Sequence, residues 1–573
     1  MSKKKSNSSK KSSIKKKNNK DLEIIVKSNV DNLESFLPYY LLIAVIILFV
    51  FGFIYGLKVL NPGYTEWLFA SNGDLMQHYV GWESYRFGDW KFPIGLTNAT
   101  SYPTNISVIY TDSIPLIALF LKIFSSILPK TFQYFGLYGL LCFILQGILS
   151  ARIAKKFTDS KLNIIVIAVL FTIVPSMLFR MFYHTALASQ WLLLISLETL
   201  FLYDDFGPGK KIYLWWGLIG FLIPVIHFYY IVMCGIVLLG FILLDILNTK
   251  RIKKSILLLI LYIASALFSM WIFGGFINLT ENDAFGFGEY SYNLNGLINS
   301  QGWSVFFEEL PMLPNQYEGF SYLGLGVMFL IFVAIVLIIY SLIKNKKSLK
   351  KQKNLLISLI FISLVCVVVA VSPKVYFGEN LLFNIKLPKF LNDMWAIFRS
   401  TGRFVWPIIY ILMLGSVIVI LKKLNWKGSL LIFSLAVFIQ IIDIGPILEN
   451  FHGFYSQKIV FNDENNIYKD YYLNLVANNS EIELMVLVSD DIYDSDKMLY
   501  SDWALNNGIK TNKLHFARTS FDELLEKNTI KFLKQKNRSQ VFVFTTRREC
   551  QKHELNCYKM FNNNYLGYID NLE

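Results

Sequence analysis

Residues 38–60 read PYYLLIAVIILFVFGFIYGLKVL, a run that is apolar over the length of a membrane-spanning helix. The run is too long for the core of a signal peptide, and no small-residue cleavage site follows it. We therefore expect it to stay attached as a signal anchor. Residues 1–37 are polar and rich in lysine, which predicts a disordered basic tail that remains in the cytoplasm.

The whole chain has the composition of a membrane protein. Of its 573 residues, 54% are hydrophobic and only 17% are charged. In a soluble protein about a quarter of the residues are charged. The formal net charge is +14, but the lysines and arginines cluster in the tail and in short connectors between apolar runs. The positive-inside rule and anionic lipids account for this pattern, so membrane lipids are expected partners and nucleic acid is not.

Residues 112–129 decide the topology, because this short apolar stretch holds Lys122 and is bounded by prolines. It is either a span or a helix that lies in the interface. If it is interfacial, every cytoplasmic connector is basic and the outer loop 276–320 has no Lys or Arg; counting it as a span reverses this. We therefore predict about eleven spans, with the N-terminus inside and the C-terminus outside: 38–60, 132–151, 162–180, 185–203, 212–228, 229–247, 255–275, 321–343, 354–371, 403–421 and 428–446.

The predicted fold is an all-α polytopic bundle in the plasma membrane, followed by a small extracytoplasmic α/β domain. The transmembrane domain, 38–446, has outer loops at 61–131, 276–320 and 372–402. The tail, 447–573, shows strand patterns at 483–489 and 540–546 and a helical pattern at 520–536. Its cysteines Cys550 and Cys557 could pair if the tail is outside the cell. The cytoplasmic connectors are short and contain no P-loop signature, so nucleotide chemistry inside is not indicated.

The first outer loop contains GDLMQHYVGWESYRFGDWKFPIG, residues 73–95. On a helix, Asp74 and His78 would share a face. A carboxylate beside an imidazole can act as a general base or bind a divalent cation such as Mg²⁺ or Mn²⁺. Trp82 and Trp90 suit the apolar faces of sugar rings, but they equally suit an interfacial amphipathic helix. Asp112 in TDSIP is either an ordinary helix cap or, if it faces Asp74, a member of the same site.

Basic residues at other outer helix ends are candidates for binding a phosphate. Arg399 and Arg403 in FRSTGRFVWP are four apart, and two guanidiniums on one face would grip a phosphate, although anchoring to lipid headgroups is the alternative. Arg180 and His184 in FRMFYHTAL are further candidates, and His227 lies in a similar turn, PVIHFYY. The candidates for contacts to the sugar or acceptor, besides Trp82 and Trp90, are Tyr110, Glu289 and Glu318.

The chain resembles the GT-C superfamily of membrane glycosyltransferases. The resemblance lies in the topology and in four strings, which are similar to a group of uncharacterised bacterial polytopic proteins: GDLMQHYVGWESYRFGDWKFPIG, SVIYTDSIPL, FQYFGLYGLLCFILQG and YEGFSYLGLG. It implies transfer of a sugar from a polyprenyl-phosphate donor to an extracytoplasmic glycan, lipid or protein. It also implies Asp74 as base or metal holder, and Arg399 and Arg403 as ligands of the lipid phosphate. To Asp74 we add His78 and Asp112 as further catalytic candidates from the residues themselves.

The chain departs from the family in lacking DxD and WWDxG-type signatures, which bears on metal dependence and on any oligosaccharyltransferase assignment. Two other classes of protein fit the same topology. One is a transporter or flippase of lipid-linked glycans, although transporters usually carry internal symmetry and midplane charge. The other is a non-catalytic protein of cell-envelope assembly.

Overall fold

The computed structural model describes residues 37–70, 74–206, 209–277, 287–344, 352–459, 467–514, 516 and 522–572. The predicted basic tail therefore lies outside the described residues, except for its last residue, as do residues 278–286 of the loop 276–320. The bundle contains these helices: α1 Leu37–Tyr55, α2 Glu66–Ala70, α3 Leu75–Phe87, α4 Pro115–Lys122, α5 Phe135–Lys155, α6 Lys161–Thr172, α7 Pro175–Met181, α8 Trp191–Phe201, α9 Tyr203–Phe206, α10 Lys210–Leu222, α11 Tyr229–Thr249, α12 Ile252–Ile272, α13 Leu325–Lys344, α14 Lys353–Val371, α15 Lys389–Ala396, α16 Trp406–Lys423, α17 Trp426–Asp443 and α18 Gly445–Ser456.

Two short hairpins accompany these helices, β1 Leu96–Thr97 with β2 Ile106–Ser107 and β3 Lys374–Phe377 with β4 Asn380–Asn384. The C-terminal part contains α19 Tyr471–Asn478, β5 Leu484–Leu487, α20 Asp494–Asn506, β6 Lys510–Thr511, α21 Asp522–Lys534, β7 Gln540–Phe544, α22 Arg547–Lys552, β8 Asn556–Lys559 and β9 Tyr565–Tyr568.

Within the described residues, eight helices are long and apolar enough to cross a membrane: α1, α5, α11, α12, α13, α14, α17, and α16 together with the 3₁₀ turn before it. They coincide with eight of the predicted spans. The predicted span 162–180 is a bent pair, because α6 and α7 meet at 54° where Pro175 begins the second helix. The predicted spans 185–203 and 212–228 correspond to shorter helices, so the count of eleven stays a prediction.

The stretch 112–129 does not form a span. Its only regular part is α4, whose eight residues extend about 12 Å at 1.5 Å per residue. Lys122, the residue that made this stretch ambiguous, is buried against the end of α3. Its ammonium donates to the Gly88 carbonyl over 2.9 Å and lies 4.3 Å from the ring centre of Tyr85. Burial lowers the pKa of Lys122 to about 8.

The centre of the bundle is formed by α16, α5 and α11. Of the residues in the most apolar 18-residue stretch of each helix, 83%, 61% and 56% are buried, the largest shares among the long helices. The other long helices bury no more than 28% of theirs, which is typical of helices whose outer faces meet lipid. Helix α18 packs against α1 through Phe451 and Tyr455, whose rings lie 5.6 and 5.7 Å from that of Tyr55. The bundle therefore continues beyond the predicted boundary at 446.

The C-terminal domain is built on a five-stranded sheet with the order β6-β5-β7-β9-β8. Strand β5 runs parallel to β6 and β7, and β9 runs antiparallel to β7 and β8. The strands predicted at 483–489 and 540–546 are present as β5 and β7, and both are buried on both faces, as expected for strands covered by helices. A disulfide joins Cys550 to Cys557, as the sequence allowed.

The C-terminal domain docks on the first loop. The amide of Thr511 in β6 donates to the carbonyl of Ala99 over 2.8 Å, and the amide of Tyr102 donates back to Thr511 over 2.9 Å. Met76 and Val80 of α3 share an apolar cluster with Met498 and Leu505 of α20. This docking places a soluble domain directly over the helix that follows Asp74.

Candidate active site

Two aspartates and three histidines converge at one end of the bundle. The Nε2 atom of His184 lies 3.9 Å from a carboxylate oxygen of Asp74 and 3.5 Å from one of Asp112, and His227 Nε2 lies 3.7 Å from Asp112. The rings of His78 and His184 are 4.6 Å apart. Their ligand atoms form two groups, each within 4.8 Å, and His184 belongs to both. We call these five residues the Asp/His cluster.

Helix α3 supplies Asp74 and His78. Asp74 is the N-cap residue, yet its side chain makes no capping hydrogen bond and is 50% exposed, so its carboxylate faces the cluster and the surroundings. His78 follows one turn later and is 1% exposed. The four-residue spacing therefore places both side chains on one face, as the sequence predicted.

Asp112 does not cap α4, because the residue at that N-cap is Ile114. The prediction of an ordinary cap is therefore wrong, and Asp112 lies instead in the cluster, with 5% of its surface exposed. Asp112 and Ile114 have φ of 51° and 50°, a left-handed conformation that is unfavourable for a β-branched residue such as isoleucine. Strained backbone of this kind is found where the surrounding structure imposes it, often at functional sites.

The turn that carries Asp112 is held against α3. The hydroxyl of Ser113 donates to the carbonyl of His78 over 2.6 Å and lies 2.8 Å from the hydroxyl of Thr111. Gly81 permits this approach, because a Cβ added there would lie 2.3 Å from Thr111 Cβ. The two segments therefore hold Asp74 and Asp112 in a fixed relation.

The donor set fits a divalent metal ion. The three separations between imidazole nitrogens and carboxylate oxygens, 3.5–3.9 Å, exceed hydrogen-bond length, as expected of ligands that face a shared centre. His184 Nδ1 is buried and has no hydrogen-bond partner among the described residues. Carboxylates suit Mg²⁺ and Mn²⁺, whereas imidazoles suit transition metals, so this mixed set favours a transition metal over Mg²⁺.

A buried ion triad adjoins the cluster. Arg180 donates to a Glu318 carboxylate oxygen over 2.6 Å, and Arg403 donates to the same oxygen through Nε at 2.9 Å and a terminal nitrogen at 2.6 Å. Burial raises the pKa of Glu318, but the two guanidiniums outweigh it and lower the pKa to about 2. Both arginines also interact electrostatically with Asp74. We call Arg180, Arg403 and Glu318 the arginine triad.

The arginine triad differs from the predicted pairing of Arg399 with Arg403. Arg399 lies in a bend between α15 and the 3₁₀ turn of residues 401–405, so no helical face carries both arginines. Arg403 consequently points to Glu318, whereas Arg399 is exposed and lies over the ring of Tyr290 at 5.3 Å. A phosphate-binding role for each of these arginines stays a prediction.

The remaining predicted sugar contacts lie in two environments. Trp82 is buried and donates its indole N–H to the Phe132 carbonyl over 2.9 Å, and the Tyr110 hydroxyl donates to the Gly275 carbonyl over 2.6 Å. Trp90 is 55% exposed beside Lys122. Glu289 is exposed and accepts from the Asn315 amide over 2.9 Å. The roles of all four as ligands of a sugar or acceptor stay predictions.

His227 is the cluster member that the sequence did not assign to the site. A usable signal was present, because the chain has only six histidines, of which His78 falls in the first predicted outer loop and His184 and His227 fall at predicted outer ends of helices. Those three are the ones that converge. The pairing of Glu318 with Arg180 left no comparable signal, since 138 residues separate them.

An apolar groove of about 830 Å³ lies between α13, α14 and α16. It is lined along α16 from Val405, two residues after Arg403, to Lys422 and Lys423. That length of helix, about 27 Å, is close to the thickness of the hydrocarbon core. The groove therefore starts two residues after Arg403 and runs along α16 for most of the thickness of a bilayer.

A protein family described as "Domain of unknown function (DUF6311)" matches residues 44–445. The chain belongs to this family. The DUF6311 region contains the Asp/His cluster and the arginine triad, and it ends before the C-terminal domain. No curated protein matches the chain.

Three solved structures of an oligosaccharyltransferase from Archaeoglobus fulgidus match this chain. The apo form gives a TM-score of 0.43 at 12% identity, over 90% of this chain and 70% of that one. The complex with Zn and sulfate gives 0.44 at 12%, over 87% and 67%. The complex of AglB with an inhibitory peptide and a dolichol-phosphate gives 0.41 at 13%, over 89% and 69%. Similarity at this level carries no argument about chemistry.

Proposed function

We propose that this protein is a membrane glycosyltransferase that moves a sugar from a polyprenyl-phosphate donor to an extracytoplasmic glycan, lipid or protein. The observation that carries the proposal is that the Asp/His cluster adjoins the arginine triad, because the amide of His184 donates to the Arg180 carbonyl over 3.0 Å and both guanidiniums interact electrostatically with Asp74. The apolar groove begins at Val405, two residues after Arg403, so acid–base groups, buried cations and a groove of lipid length lie close together.

The proposal includes the predicted topology of eleven spans, with the N-terminus in the cytoplasm and the cluster and C-terminal domain outside. The basic connectors support it through the positive-inside rule. The disulfide between Cys550 and Cys557 supports it independently, because disulfides persist in oxidising compartments. In this topology the bent pair α6–α7 and the two short helices, Thr185–Phe201 and α10, bring the eight long helices to eleven spans.

The cluster residues would hold the proposed divalent metal ion, and Asp112, His184 and His227 form the one of its two ligand groups in which all three members are buried. When bound there, the ion would supply positive charge beside the donor phosphate and stabilise charge that develops in the leaving group. The imidazoles favour Mn²⁺ or another transition metal over Mg²⁺.

In this proposal Asp74 acts as the base. Its carboxylate is half exposed, so an acceptor hydroxyl can reach it, whereas the carboxylate of Asp112 is enclosed. The acceptor oxygen attacks C1 of the sugar, and its proton passes to Asp74. The bond between C1 and the phosphate oxygen breaks, and the polyprenyl phosphate leaves as an anion with the bonding electron pair. His78, on the same face of α3, orients this carboxylate.

The arginine triad is suited to the leaving phosphate. Two guanidiniums face one carboxylate, so the triad carries a net positive charge in a buried environment, where such charge stabilises a developing anion strongly. The Nε of Arg180 is buried and has no hydrogen-bond partner among the described residues, so it is available to a phosphate oxygen. The groove beside Arg403 would take the polyprenyl chain.

The test is release of free polyprenyl phosphate from a labelled polyprenyl-phosphate sugar by the purified protein in nanodiscs. Asp74→Asn should lower release by about 10²–10⁴-fold, the usual contribution of a general base. The matched control is Asp89→Asn, because Asp89 is an exposed carboxylate outside the cluster. Equal release from Asp74→Asn and the wild type would refute the assignment. Movement of uncleaved donor across vesicles without release would indicate a transporter instead.

A further inference from the structure

Residues 374–397, which comprise β3, β4 and α15, expose an unusual amount of apolar surface, and we call this segment the apolar lip. Six of its large apolar side chains are each 52–65% exposed: Phe377, Phe383, Ile385, Phe390, Met394 and Ile397. Contiguous apolar exposure of this kind marks a surface that meets a partner or a membrane.

The fold holds the apolar lip rigidly from its other side. The amide of Leu294 donates to the Tyr376 carbonyl over 3.0 Å, and Asn293 exchanges two hydrogen bonds with the backbone of Gly378 at 2.7 and 2.9 Å. The Trp395 indole donates to the carbonyl of Val369 at the end of α14 over 3.2 Å. The exposed face is therefore fixed by the structure.

The position of the apolar lip in the chain selects a membrane as its partner. Helix α14 ends at Val371, two residues before the lip, and the next membrane-length helix begins at Thr401. Three steps of the chain, from Val371 to Lys374, reach at most about 11 Å, so the start of the lip stays at the end of the bundle where these helices emerge. Lys374, Lys386 and Lys389 on the lip are exposed and would meet anionic headgroups.

The depth of the apolar lip is limited by its backbone. The β3 side of the hairpin is partly paired with residues 293–294, but β4 is an edge strand whose five residues are all exposed, and an open strand edge cannot be satisfied in hydrocarbon. Amphipathic elements with this constraint lie in the interfacial layer, with apolar side chains directed to the acyl chains.

We propose that the apolar lip is a lipid-binding surface seated in the interfacial layer of the leaflet nearest the Asp/His cluster, with anionic phospholipid headgroups as its ligands. Arg399 and Arg403 follow the lip directly in the chain. The depth at which the lip binds the membrane therefore sets the depth of the arginine triad relative to the headgroup phosphates. The proposal needs residence in a membrane and does not depend on glycosyl transfer.

The test uses an environment-sensitive fluorophore attached to Phe383→Cys or Phe390→Cys in the full chain. Labelling is selective because Cys142, Cys234 and Cys366 are buried and Cys550 is bonded to Cys557. In nanodiscs, lipids spin-labelled near the headgroup should quench both probes, and lipids labelled deep in the acyl chain should quench them less. Tyr493→Cys, at a position 77% exposed on the C-terminal domain, is the unquenched control.

Each outcome decides the proposal. Shallow quenching that strengthens with anionic lipid, and loses that dependence in Lys386→Gln/Lys389→Gln, supports it. Quenching no greater than at Tyr493→Cys overturns it. Probes that are shielded in detergent by self-association of the chain also overturn it, because the lip would then be a protein interface. Size-exclusion profiles equal to the wild type show that each variant is folded.

Discussion

His184 is the residue that joins the two halves of the Asp/His cluster, because its Nε2 faces both Asp74 and Asp112. The opposite side of its ring, at Nδ1, is buried without a hydrogen-bond partner among the described residues. The geometry therefore makes the cluster a single unit whose parts depend on one another. A ligand removed from either half should weaken the binding of a metal ion by the whole.

The first residue-level prediction concerns that ion. His227→Ala should lower the affinity for Mn²⁺ or Zn²⁺ by about tenfold or more, because it removes a first-sphere nitrogen and even outer-sphere changes cost 10–100-fold. Metal content after dialysis against a weak chelator measures the effect. His452→Ala is the matched control, since His452 lies far along the chain in α18 and contacts the Phe53 carbonyl. Equal metal content in the two variants would contradict the assignment.

The second residue-level prediction concerns the arginine triad. Glu318→Gln leaves two buried guanidiniums without their anion, and breaking a buried ion pair in this way costs about 3–5 kcal/mol. The midpoint of thermal unfolding in detergent should fall accordingly. Glu289→Gln, at an exposed acid of the same loop, should leave it unchanged. A stable Glu318→Gln protein would mean that water compensates the charges.

At the element scale, α3 links the cluster to the C-terminal domain. Asp74 and His78 lie at its beginning, and Glu83 in its middle lies beside Asp502 of α20, with both carboxyl groups buried. Two buried carboxylates that lie close together repel each other, which favours a proton on one of them. Tyr79 donates to Glu83 over 2.7 Å, and Tyr468 donates to Asp502. We therefore predict that a proton held by this pair helps to fasten the C-terminal domain to α3.

The pH dependence of this contact follows from its pKa shifts. Burial raises the pKa of Glu83 well above its ordinary value of 4.5, and the charge of Asp502 raises it further, although Arg86 opposes the shift. Burial also raises the pKa of Asp502. A raised carboxyl pKa stabilises the folded state fully below the ordinary value, and the contribution is lost as the pH rises through the raised one.

Stability of the wild type should therefore decline on alkaline titration, whereas Glu83→Gln should lack this decline. The glutamine amide donates to Asp502 at every pH, so no proton is needed. Unfolding midpoints from neutral to alkaline pH provide the comparison. Asp494→Asn, at an exposed carboxyl on α20, should keep the wild-type profile. Parallel profiles for the wild type and Glu83→Gln would exclude the shared proton.

The sequence predicted individual helices and strands more reliably than the contacts between them. Asp74 and His78 lie on one face as predicted, because a helix forms there and the spacing of residues on a helix face is a local property. The pairing of Arg399 with Arg403 fails because a 3₁₀ turn replaces the expected helix. Asp112 could not be placed from sequence, because its orientation comes from two left-handed residues held by contacts to α3.

For the whole molecule, hydropathy and charge predicted the long helices, because lipid imposes a length and an apolar composition on each. Hydropathy could not show that 162–180 is bent or that 185–203 begins with a 3₁₀ turn at Thr185, since an apolar run looks the same straight or broken. The docking of the C-terminal domain on α3 depends on residues more than 400 positions apart and left no pattern in the sequence.

The topology is tested by the C-terminal disulfide. On intact cells, a membrane-impermeant reductant followed by a polyethylene-glycol maleimide should add mass at Cys550 and Cys557. Without the reductant no mass should be added, because the pair is bonded and Cys142, Cys234 and Cys366 are buried. Labelling only after the cells are opened would place the domain in the cytoplasm and reverse the orientation.

The docking of the C-terminal domain also sets an order in biosynthesis. The amide of Asn528 donates to Thr104 across 424 residues of chain, which a ribosome synthesises in about 20–85 s. For that interval the nascent chain has its first loop in place while Met76 and Val80 of α3 have no cover. If the proposed glycosyl transfer depends on that cover, activity would arise only after the C-terminal domain has been synthesised and has docked on α3.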